Sequence, residues 1–328
     1  MKLLKLVPDD TNIGFLKWRT WAFAISLVLM AASIGLVATK GLNFGVDFIG
    51  GQMVRATFTQ AQVAPITELR EKVTTLGYGE PTIQRFGQEN QVSIRMKLPE
   101  GADKNPELSN TMANKITAKL KADYPGVRID GVDSVSGKVS EELFSKGMLA
   151  LLAAMAGVSL YIWIRFEWQF GVGAIWSLVH DVTLTFGLFS LTGMEFDLNI
   201  IAALLTIIGY SLNDTVVIYD RIRENLMKYR KMDMSSLLDL SVNETLARTV
   251  MTSLSISLPL VILVLFGPGV IFGFSAAMAF GIVVGTYSSI YQAAPILIWL
   301  KVGPHSFVPT EGSGPKGERI TEGYGAQP

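Results

Sequence analysis

The stretch IAALLTIIGYSLNDTVVIY (Ile201–Tyr219) decides the class of this fold. It is almost wholly apolar and, at about 1.5 Å of helix per residue, nearly spans the roughly 30 Å hydrocarbon core of a bilayer. Asp214 lies inside it, with Asn213 beside it and Ser211 one turn earlier. An ionisable side chain at that depth is costly and usually marks a functional site. The stretch therefore predicts a membrane helix with a functional carboxyl.

The rest of the chain repeats the apolar pattern. Of its 328 residues, 49% are hydrophobic and 17% are charged, and the mean hydropathy is +0.37. Soluble proteins of this length rarely have such a composition. Six apolar blocks have the length of transmembrane helices, at about 19–38, 147–164, 170–191, 198–219, 249–266 and 271–300. We therefore predict a polytopic α-helical membrane protein with six transmembrane helices.

Positive charges predict the orientation of these helices. Short cytoplasmic loops of membrane proteins carry an excess of Lys and Arg. Fourteen such residues fall in the two chain ends, the RFEWQ link and the link 220–248, and none falls in the links 192–197 and 267–270. Both termini are therefore predicted to be cytoplasmic, in a multi-pass protein of the cell inner membrane. The large segment after the first span is then periplasmic.

That polar segment, 39–146, has the pattern of an α+β domain. Strand patterns occur at 52–58, 81–86, 91–98 and 126–135, and helical spacing occurs at 65–76 and 106–124. The order β–α–β–β–α–β is that of the ferredoxin-like arrangement. We therefore predict an α+β ferredoxin-like extracytoplasmic domain between transmembrane helices 1 and 2.

The remaining segments are predicted to be cytoplasmic. Residues 1–18 form the N-terminus, and helices 2–6 occupy 147–302. Within that region the basic link 220–248 is predicted to carry a short amphipathic helix, capped by Ser236, on the membrane surface. The tail 303–328 is rich in Gly and Pro, which predicts disorder.

Asp214 is the leading candidate for a functional residue. It lies about six residues, or roughly 9 Å, inside the cytoplasmic end of its span. Burial disfavours the charged form of a carboxyl, so a group at this depth is suited to loading and releasing a proton. The alternative is a structural Asp that holds helices together. The Asn213–Asp214 pair in mid-span favours the functional reading.

Two further positions are candidates. Arg248 stands where the basic link enters the fifth span, at a depth that permits a pair with Asp214, although an Arg at an inner helix end is often only an anchor. His180 and Asp181 interrupt the third span near mid-bilayer. Chains of Asp and His are typical of proton relays, but an interhelical hydrogen bond would explain them equally well.

Several classes of protein are excluded by what the chain lacks. It has no cysteine, and its 28 basic residues balance 28 acidic ones, so neither thiol chemistry nor nucleic-acid binding is expected. No phosphate loop or nucleophile elbow is present, and the two histidines have no metal-ligand spacing. We expect no enzyme, no metal and no cofactor, with protons as the obvious coupling ion.

Three motifs resemble a known family. They are GLNFGVDFIGG (41–51) after the first span, HDV (180–182) in the third span, and AALLTIIGYSLNDTVVIYDRIREN (202–225) in the fourth. Together with the six-span plan they resemble the SecD–SecF family, and within it the SecF branch, which belongs to the resistance-nodulation-division superfamily. The resemblance covers residues 1 to about 300.

The resemblance implies a role in protein export. Members of the family assist the SecYEG channel after the SecA-driven step and use proton-motive force to draw the emerging preprotein outward. It further implies SecD as the partner, since six spans look like one half of a pseudo-symmetric transporter. Asp214 and Arg248 would be the proton-pathway residues. Asn213, Ser211, His180 and Asp181 would support them.

Two alternatives stay open on the sequence alone. A small-molecule or lipid exporter half of the same superfamily would have a large apolar pocket in the outer domain. A scaffold or membrane chaperone without transport would keep its function when Asp214 and Arg248 are neutralised. Export defects caused by neutralising Asp214 would distinguish the proton-driven role from both.

Overall fold

The computed structural model of the chain describes residues 7–8, 11–99, 101–102 and 106–303. Within these residues, six helices are long and apolar enough to cross a membrane. They form a bundle, and the segment between the first and second of them folds as a separate α/β unit. The predicted disordered tail, apart from Gly303, lies outside the described residues.

The first membrane helix, α1 (Arg19–Lys40), continues from a 3-10 turn at Phe15–Trp18. It ends at Gly41, whose φ of 74° is a conformation that favours glycine. A two-residue strand, β1 (Asn43–Phe44), and a single helical turn, α2 (Val46–Ile49), follow. Together β1 and α2 form the connection from the bundle to the α/β domain.

The α/β domain has the strand and helix order predicted from the sequence. Its elements are β2 (Gly51–Phe58), α3 (Ile66–Thr74), β3 (Thr82–Arg85), β4 (Gln91–Met96), α4 (Pro106–Asp123) and β5 (Val127–Val135). The strands form one antiparallel sheet in the order β3-β4-β2-β5. Helix positions such as Leu69, Val73 and Ile116 are fully buried with the apolar residues of β2 and β4, which gives the domain its own core.

A pair of glycines starts the sheet. Gly50 and Gly51 have φ values of 71° and 130°. A Cβ on Gly50 would lie 3.2 Å from the backbone of Gly137, and one on Gly51 would lie 2.7 Å from the carbonyl oxygen of Met96. The turn into β2 therefore brings the start of β2 close to both β4 and the start of the second membrane helix.

The other membrane helices follow without a second large insertion. They are α5 (Gly137–Arg165), α6 (Trp168–Thr192), α7 (Leu198–Lys228), α8 (Met234–Phe266) and α9 (Phe272–Ser288), the last continued by a π-helical turn at Ser289–Ala293 and by α10 (Ala294–Trp299). Helix α7 packs against α5, α6, α8 and α9 and is the centre of the bundle. Its position explains why so many of its side chains are buried.

The link 220–248 differs from the prediction. Instead of a separate helix on the membrane surface, the segment completes α7 and begins α8, with only a short turn between them. The cap is Asp233 and not Ser236, because the Asp233 carboxylate accepts hydrogen bonds from the backbone N–H groups of Ser235 and Ser236. Helix α5 likewise begins at Gly137, about ten residues before its apolar span.

The α/β domain is joined to the bundle through β1. Strand β1 pairs in parallel with β6 (Glu195–Phe196), which lies between α6 and α7. The Asn43 amide donates to the side chain of Gln84 in the sheet (2.7 Å) and to the Gly193 carbonyl at the end of α6 (2.9 Å). Arg95 in β4 donates to Asn43 and to the Phe44 carbonyl. One asparagine thus contacts both the sheet and the bundle.

A second contact holds the start of α7. The backbone N–H of Leu198 donates to Asp47 of α2 at 3.0 Å, and the Asp197 side chain caps the same helix by accepting from Ile200. Carboxylates are stabilising at helix N-termini because of the exposed N–H groups and the helix dipole. The helix that carries Asp214 is therefore tied at its first turn to the connection that leads into the α/β domain.

Candidate functional site

Asp214 is buried in the bundle, as the sequence predicted. Its residue surface is 3% exposed, and it lies at the contact between α7 and α8. The Thr249 hydroxyl donates to its Oδ1 at 3.4 Å, a long hydrogen bond, and its Oδ2 is buried with no partner among the described residues. Among the described residues, the hydrogen bonding available to an ionised carboxylate in this position is thus limited to one long bond.

Arg248 does not form an ion pair with Asp214 in the described part of the chain. Successive residues of a helix point about 100° apart, so Thr249 is buried against α7 while its neighbour Arg248 is exposed. Arg248 lines a surface cavity of about 410 Å³ together with Asp220, Arg221, Glu224, Glu244 and other residues. The sequence suggested a direct contact between Arg248 and Asp214. In the structure Thr249 contacts Asp214 instead, and the Arg248 guanidinium lies at the adjacent surface.

Asn213 and Ser211 have different surroundings, although both were grouped with Asp214. Asn213 is exposed on α7, and its side chain has no hydrogen bond to the described residues. Ser211 is fully buried and donates to Oδ2 of Asp181 at 2.5 Å. Ser211 therefore belongs to a second polar site, on the α6 side of the same helix.

That second site is centred on the third predicted span. His180 and Asp181 are 0% and 1% exposed, and His180 Nδ1 lies 2.9 Å from Asp181 Oδ1. Oδ2 of Asp181 accepts hydrogen bonds from Ser211 and, at 2.9 Å, from Ser288 of α9. Ser177 in turn donates to Ser288 at 2.8 Å. We call these five residues the His180 cluster.

Several polar residues near Asp214 are not among the candidates that the sequence analysis singled out. Thr249 donates a hydrogen bond to Asp214, and one turn further along α8 the Ser253 hydroxyl bonds to both Tyr210 of α7 (2.6 Å) and Thr286 of α9 (2.7 Å). The spacing of Thr245, Thr249 and Ser253 at four-residue intervals marks one helical face. That spacing is the signal from which a polar α8 face could have been identified.

The joint between the α/β domain and the bundle contains a further cavity. It has a volume of about 190 Å³ and its lining includes Arg55, Glu195 and Asp197, but not Asp214. Burial raises the pKa of the Glu195 carboxyl, against the opposing effect of Arg95 and Arg55. Burial also raises the pKa of Asp197. Several ionisable groups thus lie close together where the α/β domain meets the bundle.

The two buried sites are built around carboxyl and imidazole groups, which are side chains that take up and release protons. Among the described residues, no group of three or more His, Asp or Glu side chains has the geometry to hold a metal ion. The mid-span segments of the six helices contain only two acidic residues, Asp181 and Asp214. Each has a buried oxygen at a helix contact. Protonation of either would change the charge of a helix interface.

Comparison with protein families identifies two matching segments. Residues 115–303 match the family described as protein export membrane protein SecD/SecF, C-terminal. Residues 35–62, which contain Gly50 and Gly51, match the SecD/SecF GG motif. The first match alone covers more than half of the chain and includes every polar residue of the two buried sites.

Individual proteins are similar over nearly the whole chain. The protein translocase subunit SecF of Rhodobacter capsulatus is 44% identical over 306 residues, which cover 90% of this chain and 91% of that protein. The protein of the same name from Pseudomonas aeruginosa is 40% identical over 301 residues, covering 92% of this chain and 95% of that protein.

Solved structures show the same fold within a longer chain. A crystal structure of SecDF, a translocon-associated membrane protein from Thermus thermophilus, matches with a TM-score of 0.78 at 33% identity and covers 89% of this chain. SecDF in a super-membrane-facing form matches with a TM-score of 0.63 at 32% identity. In both cases the chain spans only 39% of the length of the solved protein.

Proposed function

Because the chain belongs to the SecD/SecF family of protein export membrane proteins, we propose that it is an accessory subunit of the Sec translocase that uses proton-motive force. It assists the late stage of export, after the SecA-driven step, and catalyses no covalent reaction. The observation that carries the proposal is the buried Asp214, whose Oδ2 has no partner among the described residues and whose Oδ1 accepts a long hydrogen bond from Thr249.

The proposed mechanism is a competition for Asp214. An ionised carboxylate buried without a contacting cation is strongly destabilising. Two events would remove that penalty: the carboxylate takes up a proton, or Arg248 moves from the surface cavity between α7 and α8 into contact with it. The two states differ in how α7 and α8 pack, so protonation would shift the balance between two arrangements of the bundle.

The available energy is of a suitable size. One charge that crosses a potential of 100 mV releases about 2.3 kcal/mol, enough to bias a conformational equilibrium of ordinary magnitude. Helix α7 carries Asp214 and is held at its first turn by Asp47, beside the connection to the α/β domain. A shift of α7 would therefore reach the α/β domain. We propose that this domain is ferredoxin-like, lies in the periplasm, and grips and releases the exported chain.

A partner with a similar half is part of the proposal. Asn213 lies in the middle of a membrane helix and is exposed, as is Arg248 on the neighbouring helix. Polar side chains at that depth require protein or water around them. A SecD chain packed against this face of α7 and α8 would supply that cover, and the SecDF structures that this chain matches are long enough to contain such a half. SecYEG and SecA-dependent preproteins are the further partners expected.

Export from inverted inner-membrane vesicles tests the proposed function. Vesicles with and without the chain are given ATP and a SecA-dependent preprotein, and the fraction of protected preprotein is measured with and without an uncoupler. The chain is expected to raise export only while the proton gradient is present. An equal increase in the presence of the uncoupler would contradict a proton-driven role and favour a scaffold.

A further inference from the structure

The His180 cluster is separate from the contact between Asp214 and α8. It lies where α6, α7 and α9 meet, and its members come from all three helices. Within α6 the Thr185 hydroxyl donates to the backbone carbonyl of Asp181 at 2.8 Å. Every member of the cluster is 1% exposed or less. The site is therefore built into the bundle core.

Close helix packing places α9 next to Ser211. A Cβ on Gly285 would lie 3.0 Å from Cβ of Ser211, so only a glycine lets the two helices approach this closely. Directly after Ser288 the helix changes to a π-helical turn, Ser289–Ala293. Such turns are rare in helices and occur frequently at functional sites. The donor to Asp181 thus lies at an irregularity in α9.

The hydrogen bonds of the cluster leave one atom without a partner. Oδ1 of Asp181 faces Nδ1 of His180, while Oδ2 accepts from Ser211 and Ser288. His180 Nε2 is buried and has no partner among the described residues. With Asp181 ionised, Nδ1 carries the hydrogen that is donated, and Nε2 has a lone pair with no donor facing it. The cluster then has a net charge of −1 and a vacant site for one proton.

The charged groups around the cluster are few. The segments of α1, α5 and α9 at this depth, 20–39, 147–164 and 272–288, contain no charged residue. From α9 the Tyr287 ring lies 6.1 Å from that of His180, and the Tyr287 hydroxyl donates to the backbone of α1. From α7 the ionisable side chains are Asp214, Tyr210 and Tyr219, and from the π-helical turn the ionisable side chain is Tyr291. No cation within these segments would compensate an ionised Asp181.

Helix α7 links the two buried sites. Ser211, which donates to Asp181, precedes Asp214 by three residues, about one helical turn. Thr215 follows Asp214 and donates to the Ser211 carbonyl at 3.0 Å. A rotation or shift of α7 that changes the surroundings of Asp214 would therefore also move a donor of Asp181.

We propose that the His180–Asp181 pair is a second proton-binding site of the bundle, coupled to Asp214 through Ser211. A proton from the aqueous phase forms a new N–H bond at His180 Nε2, Nδ1 keeps its hydrogen bond to Asp181, and the net charge of the cluster changes from −1 to 0. Release reverses this step. The physiological role of this second site rests on the proposed proton-driven function. The proton binding itself can be measured without export.

The two histidines of the chain make a direct test practical. The full chain is labelled with ¹⁵N-histidine in a His305→Gln background, so that His180 gives the single histidine signal, and reconstituted in lipid bilayers. The nitrogen shifts, which distinguish both tautomers and the cation, are followed on both sides of the ordinary histidine pKa of about 6.5. The same titration is made with Asp214→Asn and with Asp220→Asn, an exposed control on the same helix.

We expect His180 to change between a neutral and a cationic form, and the midpoint to shift with Asp214→Asn but not with Asp220→Asn. A signal that stays in one form over the whole range would overturn the proposal. A titration left unchanged by Asp214→Asn would also overturn it, because coupling through Ser211 would be absent. Normal export by Asp214→Asn would instead count against the proposed function, whatever the histidine signal shows.

Discussion

The Asp214→Asn variant is expected to assemble in the membrane. Export in cells that carry this variant should nevertheless be no better than export in cells that lack the protein. Asparagine keeps nearly the shape of the side chain and can still accept from Thr249, so the packing of α7 on α8 should persist. It cannot bind and release a proton at neutral pH. The measurement is the fraction of uncleaved preprotein in a pulse-chase experiment in cells where the variant is the sole copy.

Asp220→Asn is the matched control for this experiment. Asp220 lies six residues further along the same helix, is exposed, and pairs with the exposed Arg165 at 3.3 Å. Exposed ion pairs contribute little, so this variant should export as the wild type does. Wild-type export by Asp214→Asn at equal protein level would show that the carboxyl is structural. The scaffold interpretation would then be the better one.

Gly281→Leu is expected to prevent stable packing of the bundle. A Cβ on Gly281 would lie 2.4 Å from Cδ1 and 2.5 Å from Cγ1 of Ile207, which is itself fully buried. Inserting carbon atoms into a filled core costs about 1–3 kcal/mol or more. Because α9 lies against α7 at this point, the substitution should also separate Ser288 from Asp181. The measurement is the thermal unfolding midpoint of the purified chain in detergent.

Gly35→Leu controls for the added leucine. Gly35 is in α1, and a Cβ there would meet no atom within 4 Å. The control variant should unfold at the wild-type temperature, while Gly281→Leu should unfold at a clearly lower one or fail to yield folded protein. Equal midpoints for the two variants would mean that α7 and α9 do not pack as closely as the structure has them.

The elements of the fold were predictable where periodicity was strong. The alternation in β2, the helical spacing of α3 and the six apolar blocks all fall on observed elements. The region between α7 and α8 was predicted wrongly because its polar residues suggested a separate surface helix. Asp233 caps the membrane helix itself, and sequence spacing alone does not show whether a capped helix continues into an apolar span.

The burial of Asp214, His180 and Asp181 was predictable from the sequence, but most of their contacts were not. Burial of Asp214 and of the His180–Asp181 pair followed from their place in apolar runs. Whether a given face of a helix is buried depends on which helices lie beside it. Asn213 and Arg248 are exposed for this reason, whereas Thr249 and Ser211 are buried. The π-helical turn after Ser288 had no signal in the sequence.

The most direct test of the central claim, that Asp214 carries the coupling proton, is its infrared carboxyl band. The C=O stretch of a protonated carboxyl is recorded for the full chain in lipid bilayers while the pH is changed, for the wild type, Asp214→Asn and Asp220→Asn. We predict a pH-dependent component that is present in the wild type and in Asp220→Asn and missing in Asp214→Asn. Identical pH-difference spectra for all three proteins would contradict the claim, because Asp214 would then keep one protonation state throughout.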